Sequence, residues 1–332
     1  MKKIFVTGSE GFIGSHLVEK LLKLNFHVKA FVQYNSFNSI GWLSNISKEY
    51  LSKLEISFGD VRDFDSVYSA MKNSDYVFHL AALIAIPYSY RSPSSYISTN
   101  ISGTLNVMQS AKITKVEKVI HTSTSEVYGS AQTVPITEIH PLVGQSPYAA
   151  SKIGADQIAI SINKSFAVPL IIIRPFNTFG PRQSLRAVIP TLISQFISKT
   201  NKIYVGNINT SRDFNYVEDI CDGFICALNS KLRNGEVFNL ATNNDFKIKD
   251  VITKLNKITN HRPKLVIQKK RIRPKDSEVV RLIGSNVKAK KVLNWKPAYH
   301  GTKGFEKSLE KTYQWYEENK KIYKNNFLHY NI

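Results

Sequence analysis

A short apolar run, Ile4-Phe5-Val6-Thr7, breaks into Gly8-Ser9-Glu10-Gly11-Phe12-Ile13-Gly14, and a helical pattern through Leu17, Val18, Leu21 and Leu22 follows at once. Strand, glycine turn and helix in that order leave few folds open. Glycines let the backbone approach an anionic ligand, and the first turn of the helix offers unpaired N–H donors and the positive end of its dipole. A parallel α/β sheet binds a dinucleotide in this context. An ordinary tight turn is the competing reading, and the flanking strand and helix weigh against it.

The alternation continues. Apolar runs at 28–32, 54–59, 76–80, 118–123 and 169–174 read as strands, and 96–111 and 146–166 read as helices. Strands alternating with helices predict an α/β fold, a Rossmann-like doubly wound parallel sheet. After Pro175 the pattern changes to a loop rich in turn formers, Phe176-Asn177-Thr178-Phe179-Gly180-Pro181, and then to helices at 187–197, 217–228, 248–259 and 304–318. We expect a dinucleotide-binding domain from 1–175, rejoined by about 212–240, and a smaller C-terminal substrate-binding domain from 176–211 and 241–332. Residues 320–332 read as a fraying end.

Chemistry concentrates in two pieces, Ser123-Thr124-Ser125-Glu126-Val127-Tyr128-Gly129 and Ser146-Pro147-Tyr148-Ala149-Ala150-Ser151-Lys152. Four residues separate Tyr148 from Lys152, so both project from one helix face. An ammonium beside a phenol favours the phenolate, which makes Tyr148 a candidate general base. Thr124 and Ser125 add hydroxyls, and Glu126 adds a second acid–base group. These follow a strand, beyond whose carboxyl end ligands sit in open α/β sheets. Phe12 and Ile13 belong to the glycine turn, Asp60 and Val61 could hold an adenine, and the small residues of Leu80-Ala81-Ala82 leave room for a cofactor. His79 reads as a satisfied core histidine. After Val32 the chain runs Gln33-Tyr34-Asn35, with neither an acid nor an arginine to meet a ribose, so NAD and NADP both stay open.

The 332-residue chain carries 45 basic and 25 acidic residues, a formal net charge of +20. That suits an anionic partner or a Lys-rich solvated surface. Neither zinc-finger spacing nor an RNA-binding signature occurs, so nucleic acid is not expected. Lys269, Lys270, Arg271, Arg273 and Arg281 form a cationic stretch that reads as solvated surface or as an anion-binding wall. For Arg212 and Arg273 the guanidinium fork suits phosphate oxygens. Cys221 and Cys226 are the only cysteines and read as small core residues in a reducing compartment. No signal-peptide pattern or 18-residue apolar run is present, so we expect a cytoplasmic protein with no membrane partner. No metal site is expected.

Taken together, Gly8/Gly11/Gly14, Asp60, His79-Leu80-Ala81-Ala82, Asn100, Thr124, Tyr148/Lys152, Arg174-Pro175-Phe176-Asn177 and Arg212-Asp213 resemble the extended short-chain dehydrogenase/reductase family, the nucleotide-sugar epimerases and dehydratases. The resemblance covers nearly the whole chain. It implies an NAD or NADP cofactor that stays bound and is regenerated each turnover, and a nucleotide-diphosphate sugar substrate. It adds Asn100 to the cofactor site and assigns Thr124, Ser125, Glu126, Tyr148 and Lys152 to catalysis. Asn177, Arg186, Arg212, Arg273 and Glu278 would bind the sugar nucleotide. A homodimer through 96–111 and 146–166 is also implied. Thr124-Ser125-Glu126 and the string Ala85-Ile86-Pro87-Tyr88-Ser89-Tyr90 look most like the N-acetylglucosamine 4,6-dehydratases of legionaminic acid biosynthesis, which act on UDP- or GDP-linked sugar. UDP-glucuronate decarboxylases also carry Thr-Ser-Glu-Val-Tyr-Gly, as at 124–129 here, and are the second reading; 4-epimerases are a third, and a non-catalytic scaffold is a fourth.

Overall fold

Seven parallel strands form the central sheet of the computed structural model, which describes residues 2–272 and 274–323. In chain order they are β1 (Lys3–Thr7), β2 (His27–Gln33), β3 (Leu54–Gly59), β4 (Tyr76–His79), β5 (Lys118–Thr122), β6 (Leu170–Pro175) and a seventh strand, Asn234–Leu240. Their spatial order is seventh-β6-β5-β4-β1-β2-β3. The order reverses between β1 and β4, which opens a crevice at their carboxyl ends.

The glycine-turn helix α1 (Phe12–Lys23) shows why the strands pair in parallel. Leu17, Val18, Leu21 and Leu22 are buried on one face and join a core containing Ile4, Val6, Val28 and Val32 from β1 and β2. Burial of each such side chain contributes roughly 1.5–3 kcal/mol, and only a right-handed crossover brings that face back onto the sheet.

Three small sheets lie outside the central one. Thr178–Phe179 pairs with Asn215–Tyr216, Lys202–Val205 pairs with Lys264–Ile267, and Ser211–Arg212 lies between Phe246–Lys247 and Arg281–Leu282. The helix Gly301–Glu318 packs beneath them through Phe305, whose ring centroid lies 4.3 Å from that of Phe246 and 5.7 Å from that of Phe214. Asp213 knots these pieces together. Its buried carboxylate accepts bonds from the Thr242 N–H and hydroxyl and from the Asn243 and Gly284 N–H groups. Burial outweighs those bonds and pushes its pKa up to about 6.

The helix expected over 96–111 is present and runs continuously through three segments: Pro93–Tyr96, a wider π-turn segment Ile97–Ser102, and Gly103–Thr114. Asn100, on the wide turn, is 1% exposed, and its amide accepts from the Leu83 N–H and donates to the Leu83 carbonyl and the Ser151 hydroxyl. The extra residue in that turn lets the side chain reach both neighbours, and such turns recur at functional sites. At the carboxyl end, Lys320–Tyr323 forms a last helical turn with Tyr323 packed on Trp42 and Tyr316, and 324–332 lie outside the described residues. Among the described residues no helix is long and apolar enough to cross a membrane.

Candidate active site

The turn from β1 into α1 lies at the crevice. Gly8 sits at φ +66°, and a Cβ there would lie 2.7 Å from the Ala81 nitrogen. A Cβ on Gly14 would lie 2.0 Å from the Gly8 carbonyl oxygen. The turn therefore closes on itself and against the strand end Leu80-Ala81, whose N–H groups both reach the Thr7 hydroxyl at 3.2 Å. Helix α1 begins at Phe12 after Gly11, with no side-chain cap and no acidic residue in its first turn. Its N–H donors face the crevice end of the sheet, an arrangement that fits a diphosphate. Asp60 is held by the Arg62 guanidinium and N–H, with Nε 3.0 Å from both carboxylate oxygens. Val61 is buried, and its carbonyl accepts from Asn106. His79 is a satisfied core histidine, with Nδ1 2.8 Å from the Thr7 hydroxyl and Nε2 3.1 Å from that of Thr104.

Opposite the glycine turn, β5 ends in Thr122 and the chain coils through a short 3-10 turn, Ser125–Tyr128. The Thr124 hydroxyl caps that turn by accepting the Glu126 N–H at 3.2 Å. The helix Pro147–Phe166 starts beside it, with the Ser146 hydroxyl accepting the Ala149 N–H at 3.1 Å and Pro147 in the first turn, where its missing N–H costs nothing. This delivers Tyr148 and Lys152 from one face. The Thr124 hydroxyl stands near enough to Tyr148 to act on its phenol, Ser125 is 2% exposed, and Glu126 is half-buried near enough for its charge to act there too. So Thr124, Ser125, Glu126, Tyr148 and Lys152 converge on one place.

The electrostatics differ from the simple Tyr–Lys expectation. Burial drives the Tyr148 phenol pKa up, the Thr124 hydroxyl pulls it down, and the Glu126 charge pushes it up again. The Lys152 ammonium donates to the Thr122 carbonyl at 2.7 Å, and burial lowers its pKa to about 8 while Asp156 resists that fall. The pair is thus two strongly desolvated groups, and each depends on neighbouring charge.

That charge comes from residues whose role the sequence reading missed. Asp156, one helical turn beyond Lys152, is fully buried. It accepts from the Ser123 hydroxyl at 2.8 Å and the Arg174 guanidinium at 2.9 Å, with the His121 ring 3.2 Å away. Arg174 also donates to the Tyr128 hydroxyl at 3.0 Å, and that hydroxyl donates to Asn239 at 2.7 Å. Burial opposes ionisation of Asp156, but the His121 bond and the Arg174 charge prevail and hold it below the usual carboxylate range. An acid four residues after Lys152 was the signal in the sequence.

On the far wall, Arg212 and Glu278 come together at 3.5 Å, and the Arg212 guanidinium also donates to the Ser211 carbonyl. Asn177 lies at the end of β6 with its Oδ1 buried and lacking a hydrogen-bond partner. Arg186 is exposed, beside Ser184, and its charge acts on Tyr96, whose ring stands edge-on to Tyr148 at 6.2 Å. Arg273 lies outside the described residues. Lys269 is exposed, Arg271 donates to Gln268, and Arg281 pairs with Asp245. Asn100, assigned to the cofactor, directs its amide to Leu83 and Ser151 and so fastens the 80–83 loop to the Tyr148 helix.

The sequence model of the family described as GDP-mannose 4,6 dehydratase matches residues 5–308. A dTDP-glucose 4,6-dehydratase from Actinoplanes sp. is 32% identical over 243 residues, 72% of this chain and 76% of that protein. A UDP-N-acetyl-alpha-D-glucosaminuronate decarboxylase from Bacillus cytotoxicus is 30% identical over 328 residues, 96% of this chain and 98% of that protein. The crystal structure of a UDP-glucuronic acid 4-epimerase from Bacillus cereus, with UDP-glucuronic acid and NAD, superposes with a TM-score of 0.86 at 28% identity, covering 96% of this chain and 99% of the other.

Proposed function

Because the chain belongs to the GDP-mannose 4,6 dehydratase family, we propose that it is an NAD(P)-dependent nucleotide-sugar 4,6-dehydratase. In this reading the substrate is UDP- or GDP-linked N-acetylglucosamine and the product its 4-keto-6-deoxy form. One observation carries it. A second acid–base group, Glu126, stands within electrostatic reach of a buried Tyr148, with the Thr124 hydroxyl beside the same phenol. Inversion at C4 needs one proton-transfer group, whereas removal of water across C5 and C6 needs another.

Gly8, Gly11 and Gly14 with Phe12 and Ile13 would hold the diphosphate of the cofactor, and Asp60, Val61, Leu80, Ala81 and Ala82 would flank its adenosine and ribose parts. Asn177, Arg186, Arg212, Arg273 and Glu278 would hold the nucleotide-diphosphate sugar. Residues 1–175 with 212–240 carry the first group, and 176–211 with 241–332 carry most of the second. A dinucleotide held there would supply the hydride acceptor for C4 and the hydride donor for C6.

The chain's own residues move the protons. Tyr148 takes the proton of the 4-hydroxyl while Thr124 holds that oxygen. The 4-ketone acidifies the C5 proton, which Glu126 removes. Hydroxide leaves C6 and takes up the proton from Glu126, directly or through a water on Ser125, so one water is lost overall. C5 is then reprotonated from solvent, and Tyr148 releases the 4-hydroxyl proton to solvent, so the chain returns to its starting protonation. Each proton transfer of this kind contributes typically ~10²–10⁴-fold.

The test is product mass. Purified chain incubated with UDP- and GDP-N-acetylglucosamine should yield a sugar nucleotide lighter by one water, roughly 18 mass units. Loss of carbon dioxide from a uronate substrate instead would make it a decarboxylase, as the Bacillus cytotoxicus relative is named. Unchanged mass with inverted C4 would make it an epimerase. Ligand binding without turnover would leave only the scaffold reading. We further infer a homodimer through Gly103–Thr114 and Pro147–Phe166, where Ile113 and Phe166 are exposed on neighbouring helices. Light scattering at a monomer mass would refute it.

A further inference from the structure

The end of β2, where an acid commonly meets the adenosine ribose of a dinucleotide, has no acid of its own. The fold brings one there from a different element. Glu10, in the middle of the glycine turn, reaches across to β2, and its Oε1 accepts the N–H of Gln33, the last residue of that strand, at 3.1 Å. The turn is fixed against the strand by the Ser9 hydroxyl, which donates to the Phe31 carbonyl at 3.1 Å. From the other side, the Trp42 N–H donates to the Glu10 carbonyl at 3.1 Å, and Gly41, at φ +54°, packs so closely that a Cβ there would lie 2.7 Å from that oxygen.

Asn35 and Arg62, near this strand end, are engaged. Asn35 accepts the Phe37 and Ser39 N–H groups and donates to the Gln33 and Ser39 carbonyls. The Arg62 guanidinium lies on Asp60. Glu10 Oε2, in contrast, is buried without a hydrogen-bond partner. Burial raises the pKa of this carboxyl, and the Gln33 N–H only partly offsets the rise. A buried carboxylate oxygen with no donor is costly and gains strongly from one.

We propose that Glu10 determines dinucleotide specificity: its carboxylate accepts an adenosine ribose hydroxyl and repels a 2′-phosphate, so the chain takes NAD and not NADP. The assignment rests on the reading above that the crevice binds a nicotinamide dinucleotide. A ribose hydroxyl is a donor and a carboxylate an acceptor, so the pair makes a charge-assisted hydrogen bond. Oε1 keeps a lone pair beside the Gln33 bond, and rotation about the soft terminal torsion of the side chain turns either oxygen toward the crevice. A 2′-phosphate at the same place sets like charges against each other, with the nearest strand-end residues, Gln33-Tyr34-Asn35, offering no cation.

Calorimetry on the purified full chain, stripped of copurified cofactor, tests this with NAD+, NADP+ and the NAD+ analogue lacking the adenosine 2′-hydroxyl. Wild type should bind NAD+ about 10- to 100-fold tighter than either of the others, the value of one hydrogen bond to a charged group. Glu10→Gln, which keeps an acceptor for Gln33, should lose about that factor for NAD+ and bind the deoxy analogue as well as NAD+. Glu10→Asp serves the same three-ligand comparison should the glutamine variant not fold. Equal discrimination by wild type and variant, or a wild-type preference for NADP+, overturns the role of Glu10 and leaves the dinucleotide reading intact. Failure of wild type to bind any of the three overturns both.

Discussion

Replacing Asp156 by Asn should damage stability and catalysis together, in separable ways. The carboxylate is fully buried and bonded to Ser123 and Arg174, beside the His121 ring. Asn keeps one acceptor oxygen but turns an NH₂ group toward donors and leaves the Arg174 guanidinium, 3% exposed, without its counter-ion. Breaking a buried pair from one side costs about 3–5 kcal/mol, a large part of a stability of roughly 5–15 kcal/mol. Urea unfolding near neutral pH should show that loss. The sign of the pH dependence follows from the depressed native pKa of Asp156: its stabilisation is present above the ordinary carboxylate value of 3.8 and disappears as pH falls below it. The difference between wild type and variant should therefore shrink on acidification.

The catalytic effect runs through Lys152. Burial already lowers its pKa to about 8, and Asp156 is the charge that resists. Without it the ammonium loses its proton at lower pH. A smaller share of Lys152 is then charged at neutral pH. Because Tyr148 is a better base beside a charged Lys152, the alkaline limb of kcat against pH should move to lower pH in Asp156→Asn. A purely structural role would lower the amount of active protein without moving that limb. If the pH profile superimposes on wild type and the unfolding free energy changes by less than about 1 kcal/mol, the account of this network is wrong.

Glu126→Gln should reduce dehydrated product by about 10²–10⁴-fold while hydrogen exchange or redox at C4 stays detectable by mass spectrometry with C4-deuterated substrate; undiminished product would remove Glu126 from the mechanism. Tyr148→Phe should suppress the first oxidation by a similar factor, about 10²–10⁴-fold, with the melting temperature little changed; C4 deuterium loss at the wild-type rate would contradict its role as base. Gly14→Ala places a Cβ 2.0 Å from the Gly8 carbonyl, so the turn must open; thermal shift should show a lower melting temperature and a lost response to dinucleotide, and an unchanged response would mean the turn is not the diphosphate site.

The alternation of strands and helices, the glycine turn and the Tyr148–Lys152 spacing were legible because each is a local pattern. A period of two or of 3.6 residues, a glycine where a side chain cannot fit, and two residues four apart on a helix are all written in adjacent positions. The widened turn at Ile97–Ser102 was not legible, since it is accompanied by Asn100 reaching Leu83 and Ser151, contacts that only the fold brings together. The direction of the Tyr148 pKa was not legible either. Spacing tells that a lysine is near, but burial decides how much each charged form costs, and burial belongs to the fold.

The sequence by itself determined the kind of molecule: a doubly wound parallel sheet with a glycine turn at its first strand and a phenol–ammonium pair beyond its fifth. Those features depend on short-range sterics and on hydrophobic period, which any reading of neighbours recovers. Only the tertiary structure decided which charges sustain the pair and which acid stands at the end of β2. Asp156 meets Arg174 and His121, and Glu10 meets Gln33, across gaps of 18, 35 and 23 residues. Electrostatic and hydrogen-bond effects act through space at a few ångströms in a desolvated interior, so folding had to bring the partners together before their chemistry could be read.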